Sequence, residues 1–249
     1  MQWHIERHQE TPSTIDLARA AAERGAGEGT VIIAGRQTAG RGRLGRTWAS
    51  PPGGLWVSAV LRPRLDPGDL GKLAIGAAVA AAEAVEEQAG LSVGLKWPND
   101  LLVGDRKLGG LLLDSHLRAG KTSYVILSLG LNLNVEAEAF PPELRGRATS
   151  VLIEAGRELA SEEMLQAFLN GLEECYHLAT SGPEEQLLRR WRQRDVCEGR
   201  RVTVRLGAET GPEVRGVALG VDRGGALRLR QESGEEISLT AGEITCLET

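Results

Sequence analysis

The sequence of 249 residues is poor in cysteine, in aromatic residues and in long apolar runs. Its cysteines, Cys175, Cys197 and Cys246, form no C-x-x-C pair, which argues against a disulfide framework and a structural zinc site. Aromatic residues make up only 4%, few for stacking nucleic-acid bases. No apolar run could span a bilayer, and the opening stretch MQWHIERHQE lacks a signal-peptide core. These absences predict a cytoplasmic globular protein without a membrane segment.

Acidic residues outnumber basic ones over the whole chain, but not in one short segment. The net charge is −5 at pH 7, yet residues 36–46 contain four arginines and no acidic residue. A long nucleic acid would require a broad basic face, whereas one basic loop on an acidic protein suits an anion the size of a nucleotide. The segment therefore predicts a compact anion site.

The core of this segment, residues 40–46, reads GRGRLGR and has the G-x-G-x-x-G spacing of a dinucleotide-binding loop. Such a loop needs a strand before it and a helix after it, because the pyrophosphate binds at the helix N-terminus. A strand-like run, 30–34, precedes it, but residues 51–54 read PPGG and exclude a helix. The glycines instead favour close backbone approach to a ligand, and the arginines match carboxylate or phosphate oxygens. A solvated hairpin tip and an RNA-backbone patch are the competing interpretations.

The hydrophobic pattern predicts an α+β protein with a largely antiparallel sheet, because consecutive strand-like runs are joined by hairpin signals such as Gly104-Asp105. After Cys197 the pattern changes to short alternating strands separated by glycine turns, which places a domain boundary near residue 196. The predicted helices are 14–24, 70–90 and two between 161 and 194; the predicted strands are 30–35, 54–62, 92–97, 101–115 and 124–135.

Two further stretches carry polar residues at strand ends. In GLKWPNDLLV, 94–103, Lys96 precedes a proline that must end the strand, so its ammonium group either stabilises negative charge or guards a sheet edge. In SLGLNLN, 128–134, Gly130 interrupts an apolar strand and Asn132 shares its face, which indicates either a ligand or a hydrated strand end. Ser13-Thr14 by itself is best interpreted as a helix cap.

Taken in order, Ser13-Thr14, RQTAGRGRLGRTW (36–48), KWPNDLLVGDRKLGGLLLD (96–114) and GLNLN (130–134) closely resemble the biotin protein ligase family. The resemblance covers most of residues 1–135. It implies a mixed, mainly antiparallel sheet flanked by helices, as in class II aminoacyl-tRNA synthetases, over 1–195. It also implies a small SH3-like β-barrel over 196–249.

The resemblance implies an ATP-dependent, AMP-forming ligase. Biotin and ATP, with Mg²⁺, would give biotinyl-5′-AMP, and the biotin would then pass to a lysine of a biotin carboxyl carrier protein. Some relatives carry an N-terminal helix-turn-helix; with Ser13-Thr14 so early in the sequence, no room remains for one, and we expect no DNA binding. A homodimer is compatible with the resemblance.

The family's functional residues can be carried over one by one. Lys96 and Arg41 are expected to be catalytic, and Ser128 departs from the family's usual glycine at that position. The resemblance identifies no metal ligands. The residues expected to bind biotin are Ser13, Thr14, Gln37, Gly40, Arg41, Arg43, Trp48, Lys96, Gly110 and Gly130, and those expected to bind ATP are Arg43, Arg46, Lys96 and Asn132.

Two other functions remain open on the sequence. A lipoate ligase also adenylates a carboxylate, but lipoate lacks the ureido group that Ser13, Thr14 and Gln37 are expected to read. An RNA-binding module would use the arginine loop and the C-terminal strands. The acidic net charge and the small number of aromatic residues argue against this function.

Overall fold

The computed structural model describes residues 1–207 and 210–248, which form two β-sheets and five helices. The first sheet contains β1 (His4–His8), β2 (Thr30–Ala34), β3 (Leu55–Leu61), β4 (Gly94–Lys96), β5 (Asp100–Val103), β6 (Arg106–Arg118) and β7 (Lys121–Leu131). The second contains β8 (Arg201–Arg205), β9 (Glu213–Val221), β10 (Leu227–Arg230), β11 (Glu236–Leu239) and β12 (Glu243–Leu247). The helices are α1 (Thr14–Glu23), α2 (Gly71–Ala89), α3 (Val151–Ala155), α4 (Ser161–Thr180) and α5 (Glu184–Arg192).

The seven strands of the first sheet lie in the order β1-β2-β3-β7-β6-β5-β4. Every pair is antiparallel except β1 and β2, which run parallel. The prediction of a mixed, mainly antiparallel sheet flanked by helices is therefore confirmed, as is the hairpin between β5 and β6. Strand β1 and helix α3 were not predicted, because β1 is largely exposed and α3 spans only five residues.

One face of the first sheet is covered by α2 and α4, which pack closely at small residues. A Cβ atom added to Gly76 of α2 would lie 3.3 Å from the Cβ of Cys175 in α4. Likewise, a Cβ on Gly171 would lie 3.3 Å from the Cβ of Ala80. The alanine-rich composition of α2 thus permits a helix layer that is itself tightly packed, with its end at Gly90 in the left-handed conformation.

Helix α1 covers the opposite face of the sheet. Its buried side chains Ile15, Ala18 and Ala22 pack against Ile32 of β2 and Ile126 of β7. This packing sets the N-terminus of α1 over the middle strands of the sheet. Ser13 is the N-cap residue, but its side chain makes no capping hydrogen bond, so the interpretation of Ser13 as a helix-capping side chain is wrong.

The C-terminal strands form an open antiparallel sheet in the order β11-β10-β9-β8-β12. Within residues 1–207 and 210–248 these strands do not close into a barrel. Backbone bonds join the segment between the sheets to the edge of β4: Leu95 N–H donates to Arg194 O (2.7 Å), and Val196 N–H donates to Leu95 O (3.0 Å). The Trp97 indole N–H also donates to Gly225 O (3.1 Å), and one hydrophobic core continues through both sheets.

Candidate functional site

A buried polar cluster lies between the N-terminus of α1 and the middle of the first sheet. Thr14, Ser58 and Ser128 are all at most 7% exposed, although the surrounding sheet is apolar. Their hydroxyls form a continuous row, with Thr14 Oγ1 and Ser58 Oγ 2.8 Å apart and Ser58 Oγ and Ser128 Oγ also 2.8 Å apart. Burying several hydroxyls costs free energy unless each one is hydrogen-bonded, as these three are. The cluster is therefore a preorganised polar site.

The side-chain amide of Gln37 closes the cluster from the loop that follows β2. Its Oε1 accepts from the backbone N–H of Thr14 (2.9 Å) and from the hydroxyl of Thr14 (3.1 Å). Its Nε2 donates to Ser50 Oγ (2.8 Å), and Ser50 in turn donates to the carbonyl of Trp48 (3.2 Å). The structure thus brings Thr14 and Gln37, both predicted to bind biotin, into one hydrogen-bonded group.

Two buried polar atoms beside this cluster lack a partner among the described residues. The hydroxyl of Ser13 is one, and the indole N–H of Trp48 is the other. An unpaired buried donor costs about 1–3 kcal/mol, which a ligand carrying an acceptor would offset. Both atoms belong to residues that the sequence predicts to contact biotin.

The ring of Trp48 lies over two glycines at the ends of the central strands. A Cβ added to Gly130 of β7 would lie 2.8 Å from Trp48 Nε1, and one added to Gly110 of β6 would lie 3.3 Å from the six-membered ring. Gly110 and Gly130 are direct partners in the β6–β7 register. The two glycines therefore form a slot in the sheet surface, which in this structure the indole ring fills.

Gly40 lies against the turn that returns to Trp48. A Cβ there would lie 2.5 Å from both Ser50 Oγ and the Trp48 carbonyl, and 3.2 Å from Gln37 Nε2. Only glycine fits this position without a rearrangement of the polar cluster.

Lys107 is a residue of the site that the sequence reasoning missed. Its ammonium group lies 5.1 Å from the ring centre of Trp48 and 2.5 Å from the carboxylate of Asp100. Its Cε would lie 3.5 Å from a Cβ on Gly110, so the side chain lines the glycine slot. The stretch KLGG contained the signal, because Lys107 and Gly109 flank a bulge in the β5–β6 pairing.

Lys96 ends β4, opposite Asp100 in the register. Its ammonium group forms no hydrogen bond or ion pair with any residue in the described part of the chain. Its charge helps to lower the pKa of Glu243 in β12. Asp100 pairs in turn with Gly110, so Lys96 is in register with the glycine slot that Lys107 lines.

The arginines of the glycine–arginine loop, residues 40–46, contact three different elements. Arg41 pairs with Asp16 in the first turn of α1 (2.9 Å). Arg43 donates to Asn99 Oδ1 (3.2 Å), and burial lowers the pKa of its guanidinium group. At the tip of the loop, Leu44 adopts a left-handed conformation with φ 55° and is 53% exposed.

Arg46 connects the loop to the C-terminal sheet. Both of its terminal nitrogens donate to the carboxylate of Glu243, one at 2.6 Å. These hydrogen bonds hold the pKa of Glu243 below its ordinary value, with nearby Lys96 and Arg43 adding to the effect. The loop is thus joined to α1, to the turn after β4 and to β12.

Asn132 lies just past β7 and is 4% exposed. Its side-chain N–H donates to the carbonyl of Thr149 (2.9 Å), and its backbone N–H donates to Leu108 O (3.0 Å). The amide nitrogen therefore holds the segment before α3 in place. The amide oxygen is the group that would be left for a nucleotide.

The titratable groups of the described residues provide no preformed metal cluster, and the two buried cysteines provide no thiolate. Within the described ranges no group of three or more histidine, cysteine, aspartate or glutamate side chains converges on a point. Cys175 and Cys197 are buried, and burial raises the pKa of both thiols to about 12. Neither thiol is a nucleophile at neutral pH.

No helix in the described part of the chain has the length and apolarity needed to cross a membrane.

Family models match two segments of the chain. The biotin/lipoate A/B protein ligase family matches residues 8–132, and the biotin protein ligase C terminal domain matches residues 199–245. The first match contains the glycine–arginine loop, the hydroxyl row and both lysines. The second contains β8 to β11 and the Glu243 carboxylate that Arg46 binds.

Individual proteins agree with these matches. The bifunctional ligase/repressor BirA of Bacillus subtilis is 33% identical over 235 residues, which cover 94% of this chain and 71% of that protein. The biotin–[acetyl-CoA-carboxylase] ligase of Mycobacterium tuberculosis is 32% identical over 237 residues, covering 93% of this chain and 84% of that protein. The biotin protein ligase from Aquifex aeolicus in complex with biotin and ATP superposes with a TM-score of 0.80 at 27% identity, covering 97% of both chains.

Proposed function

The chain belongs to the biotin/lipoate A/B protein ligase family, and from that premise we propose that it is a biotin protein ligase that consumes ATP. Biotin would be adenylated to biotinyl-5′-AMP with release of pyrophosphate, and then transferred to a lysine of a carboxylase carrier protein. The observation that carries the proposal is the hydroxyl row beside a glycine slot. A cyclic urea with a hydrocarbon tail is complementary to this arrangement, because its polar head matches the hydroxyl row and its apolar tail matches the glycine slot.

The polar cluster would bind the ureido ring. Ser13 has a spare hydroxyl proton for the ureido carbonyl, and Thr14 has an oxygen lone pair for a ureido N–H. Gln37 holds Thr14 in place from behind. Lipoate has no donors or acceptors at this end, and it would leave these buried groups unpaired, so biotin should be strongly preferred.

The tail of biotin would lie in the slot over Gly110 and Gly130, where the backbone of both strands is open to close approach. Trp48 would move aside or form the wall of the slot, since its flat ring suits a hydrocarbon chain. The carboxylate at the end of the tail would then reach the cationic groups at the strand ends.

Those cationic groups would oppose the repulsion between the biotin carboxylate and the triphosphate. Lys107 lies against the slot, Lys96 is in register with it, and Arg43 is hydrogen-bonded to the turn after β4. A carboxylate oxygen attacks the α-phosphorus, the bond to the pyrophosphate oxygen breaks, and the extra negative charge in the transition state is held by these side chains. We propose Lys96 and Arg41 as catalytic residues and add Lys107 to them.

Arg43, Arg46 and the side-chain oxygen of Asn132 would contact the nucleotide. Arg46 would exchange Glu243 for phosphate, because both partners offer oxygens to the same guanidinium fork. Mg²⁺ would arrive with ATP and be held mainly by phosphate oxygens. The ion would neutralise charge on the phosphates. Asp100, which pairs with Lys107, is the carboxylate nearest to the slot.

The glycine–arginine loop, 40–46, would cover the adenylate and keep water from it, because a mixed anhydride hydrolyses readily. The carrier lysine would attack the carbonyl of the adenylate once the two proteins dock, releasing AMP. We propose a catalytic domain at 1–195 and an SH3-like C-terminal domain at 196–249. A cytoplasmic location, a homodimer and the absence of DNA binding remain proposals.

The test is biotin-dependent exchange of radiolabelled pyrophosphate into ATP, repeated with lipoate. We expect exchange with biotin and little or none with lipoate. Exchange with lipoate alone would assign the chain to the other branch of its family. Salt-sensitive binding of oligonucleotide without any exchange would favour an RNA-binding module instead.

A further inference from the structure

We infer that Ser58 and Ser128 are positioning residues that fix the direction in which the hydroxyl of Thr14 donates. They thereby make the pocket selective for a head group that offers N–H donors. The inference rests on the proposed function and concerns the biotin end of the same site. Neither serine was predicted to bind biotin, and Ser128 was noted only as a departure from glycine.

The pairing of β3 with β7 places the two serines together. Ser58 and Ser128 are direct partners in that register, on the face that α1 covers. The row then runs from Ser128 through Ser58 to Thr14 at 2.8 Å each, and from Thr14 to Gln37 at 3.1 Å. Every hydroxyl in the row is buried, so water does not compete freely for its proton.

The orientation of Gln37 fixes the first proton. The backbone N–H of Thr14 can only donate, and it points at Gln37 at 2.9 Å, so the amide oxygen must face Thr14. The amide nitrogen then faces Ser50, as its 2.8 Å bond requires. Because the amide oxygen carries no proton, the hydroxyl of Thr14 must be the donor in the 3.1 Å bond.

The remaining protons follow from the single proton on each hydroxyl. Thr14 has used its proton on Gln37, so Ser58 must donate to Thr14, and Ser128 must donate to Ser58. This leaves lone pairs but no protons on Thr14 and Ser128 for a ligand. The only spare hydroxyl proton in the group belongs to Ser13. The hydroxyls of the pocket thus offer one donor and several acceptors, the complement of a cyclic urea with one carbonyl and two N–H groups.

Loss of Ser58 would release this constraint. Without a proton arriving from Ser58, Thr14 can turn its own proton towards a ligand, while Gln37 keeps its bond from the Thr14 backbone. The pocket would then accept a ligand with an oxygen where biotin has an N–H. Loss of Ser128 should act in the same direction but less, because Ser58 can still donate to Thr14.

The experiment compares biotin with the two cyclic carbamate analogues in which one or the other ureido N–H is replaced by oxygen. Dissociation constants would be measured for the wild type, Ser58→Ala, Ser128→Ala and the control Thr122→Val. Thr122 lies on β7 with Ser128, and its buried hydroxyl has no partner among the described residues. The dissociation constant for ATP and the melting temperature would be measured alongside.

We expect Ser58→Ala to weaken biotin binding by about tenfold, the scale of one buried hydrogen bond. For at least one carbamate, the preference for biotin should shrink by a similar factor, with ATP binding unchanged. Ser128→Ala should give a smaller change in the same direction, and Thr122→Val should give none. If Ser58→Ala does not fold, the carbamate preference of Ser128→Ala decides.

An unchanged preference in Ser58→Ala, or an equal change in Thr122→Val, would overturn the inference while leaving the ligase intact. A wild-type protein that binds no biotin would instead overturn the proposed function.

Discussion

The polar cluster around Thr14 and the glycine–arginine loop, 40–46, both belong to the candidate site, but they are built differently. The hydroxyls of the cluster are buried and hydrogen-bonded to one another, and they come from α1, β3 and β7. The loop is largely exposed, and its arginines are paired with acidic or amide groups elsewhere in the protein.

The difference indicates two functions for the two regions. A pocket that is complete before the ligand arrives loses little entropy on binding and can read a head group by its hydrogen bonds. Charged side chains in temporary pairs can instead exchange partners as the negative charge of the reaction develops. Changes in the cluster should therefore alter the KM for biotin, whereas changes in the cationic groups should alter the rate and the retention of the adenylate.

The largest effect is expected at the two lysines. Lys107→Ala and Lys96→Ala should each lower adenylate formation by about 100- to 1,000-fold, because each removes a charge that stabilises the transition state. Pyrophosphate exchange at saturating biotin would measure the loss, with Lys121→Ala in the exposed β6–β7 hairpin as the control. Normal adenylate formation in Lys96→Ala would remove that residue from the mechanism and leave Lys107 as the slot cation.

A smaller effect is expected when the glycine slot is filled. Gly130→Ala would place a methyl group 2.8 Å from the Trp48 indole nitrogen, and overpacking of this kind should raise the KM for biotin by about 10- to 100-fold. The kcat should change much less. Gly68→Ala serves as the control, since a Cβ there meets nothing within 4 Å. Equal effects on KM and kcat would contradict the assignment of substrate binding to the pocket and of catalysis to the cationic groups.

Arg41→Ala tests the retention of the adenylate by the loop. Without its pair to Asp16 the loop should close less firmly, and adenylate should escape several-fold faster. Biotinylation of bystander lysines on an unrelated protein would report the leak. The matched control is Arg36→Ala, which loses only an exposed pair with Glu10. Equal leakage from the two variants would count against retention of the adenylate by the loop.

The smallest effect concerns pH. Because Arg46 lowers the pKa of Glu243, their pair stabilises the fold above the ordinary glutamate pKa of about 4.3, and that stability is lost as pH falls through the lowered value. The pair is partly exposed, so the expected contribution is about 0.5 kcal/mol. Thermal unfolding of wild type and Glu243→Gln should differ slightly at pH 7 and converge in acid. A difference that grows in acid would contradict this sign.

The sequence was sufficient to predict much of the fold. Alternation and hairpin turns located β3, β6 and β7, because these strands bury one or both faces and are bounded by turns. Strand β1 escaped prediction since its pairing with β2 is parallel and its side chains alternate little in burial.

The site was harder to predict wherever it depended on pairing between distant segments. Ser58 and Ser128 are 70 residues apart, and only the β3–β7 register makes them neighbours. In the sequence Lys107 has no feature that distinguishes it from other strand residues. Its contact with Trp48 is evident only in the structure, where it lies beside a bulge. The link between Arg46 and Glu243 spans 197 residues and has no local signature.

The backbone bonds between Leu95 and residues 194–196 have a consequence for any attempt to divide the protein. Strand β4 is the last of its sheet, and this segment occupies its outer rim. A fragment that stopped before residue 194 would expose a row of unpaired amides and carbonyls, a template to which a second fragment could add its own strand. The segment that begins at residue 194 thus also protects the sheet edge from self-association. A shortened chain is therefore expected to aggregate rather than merely to lose activity.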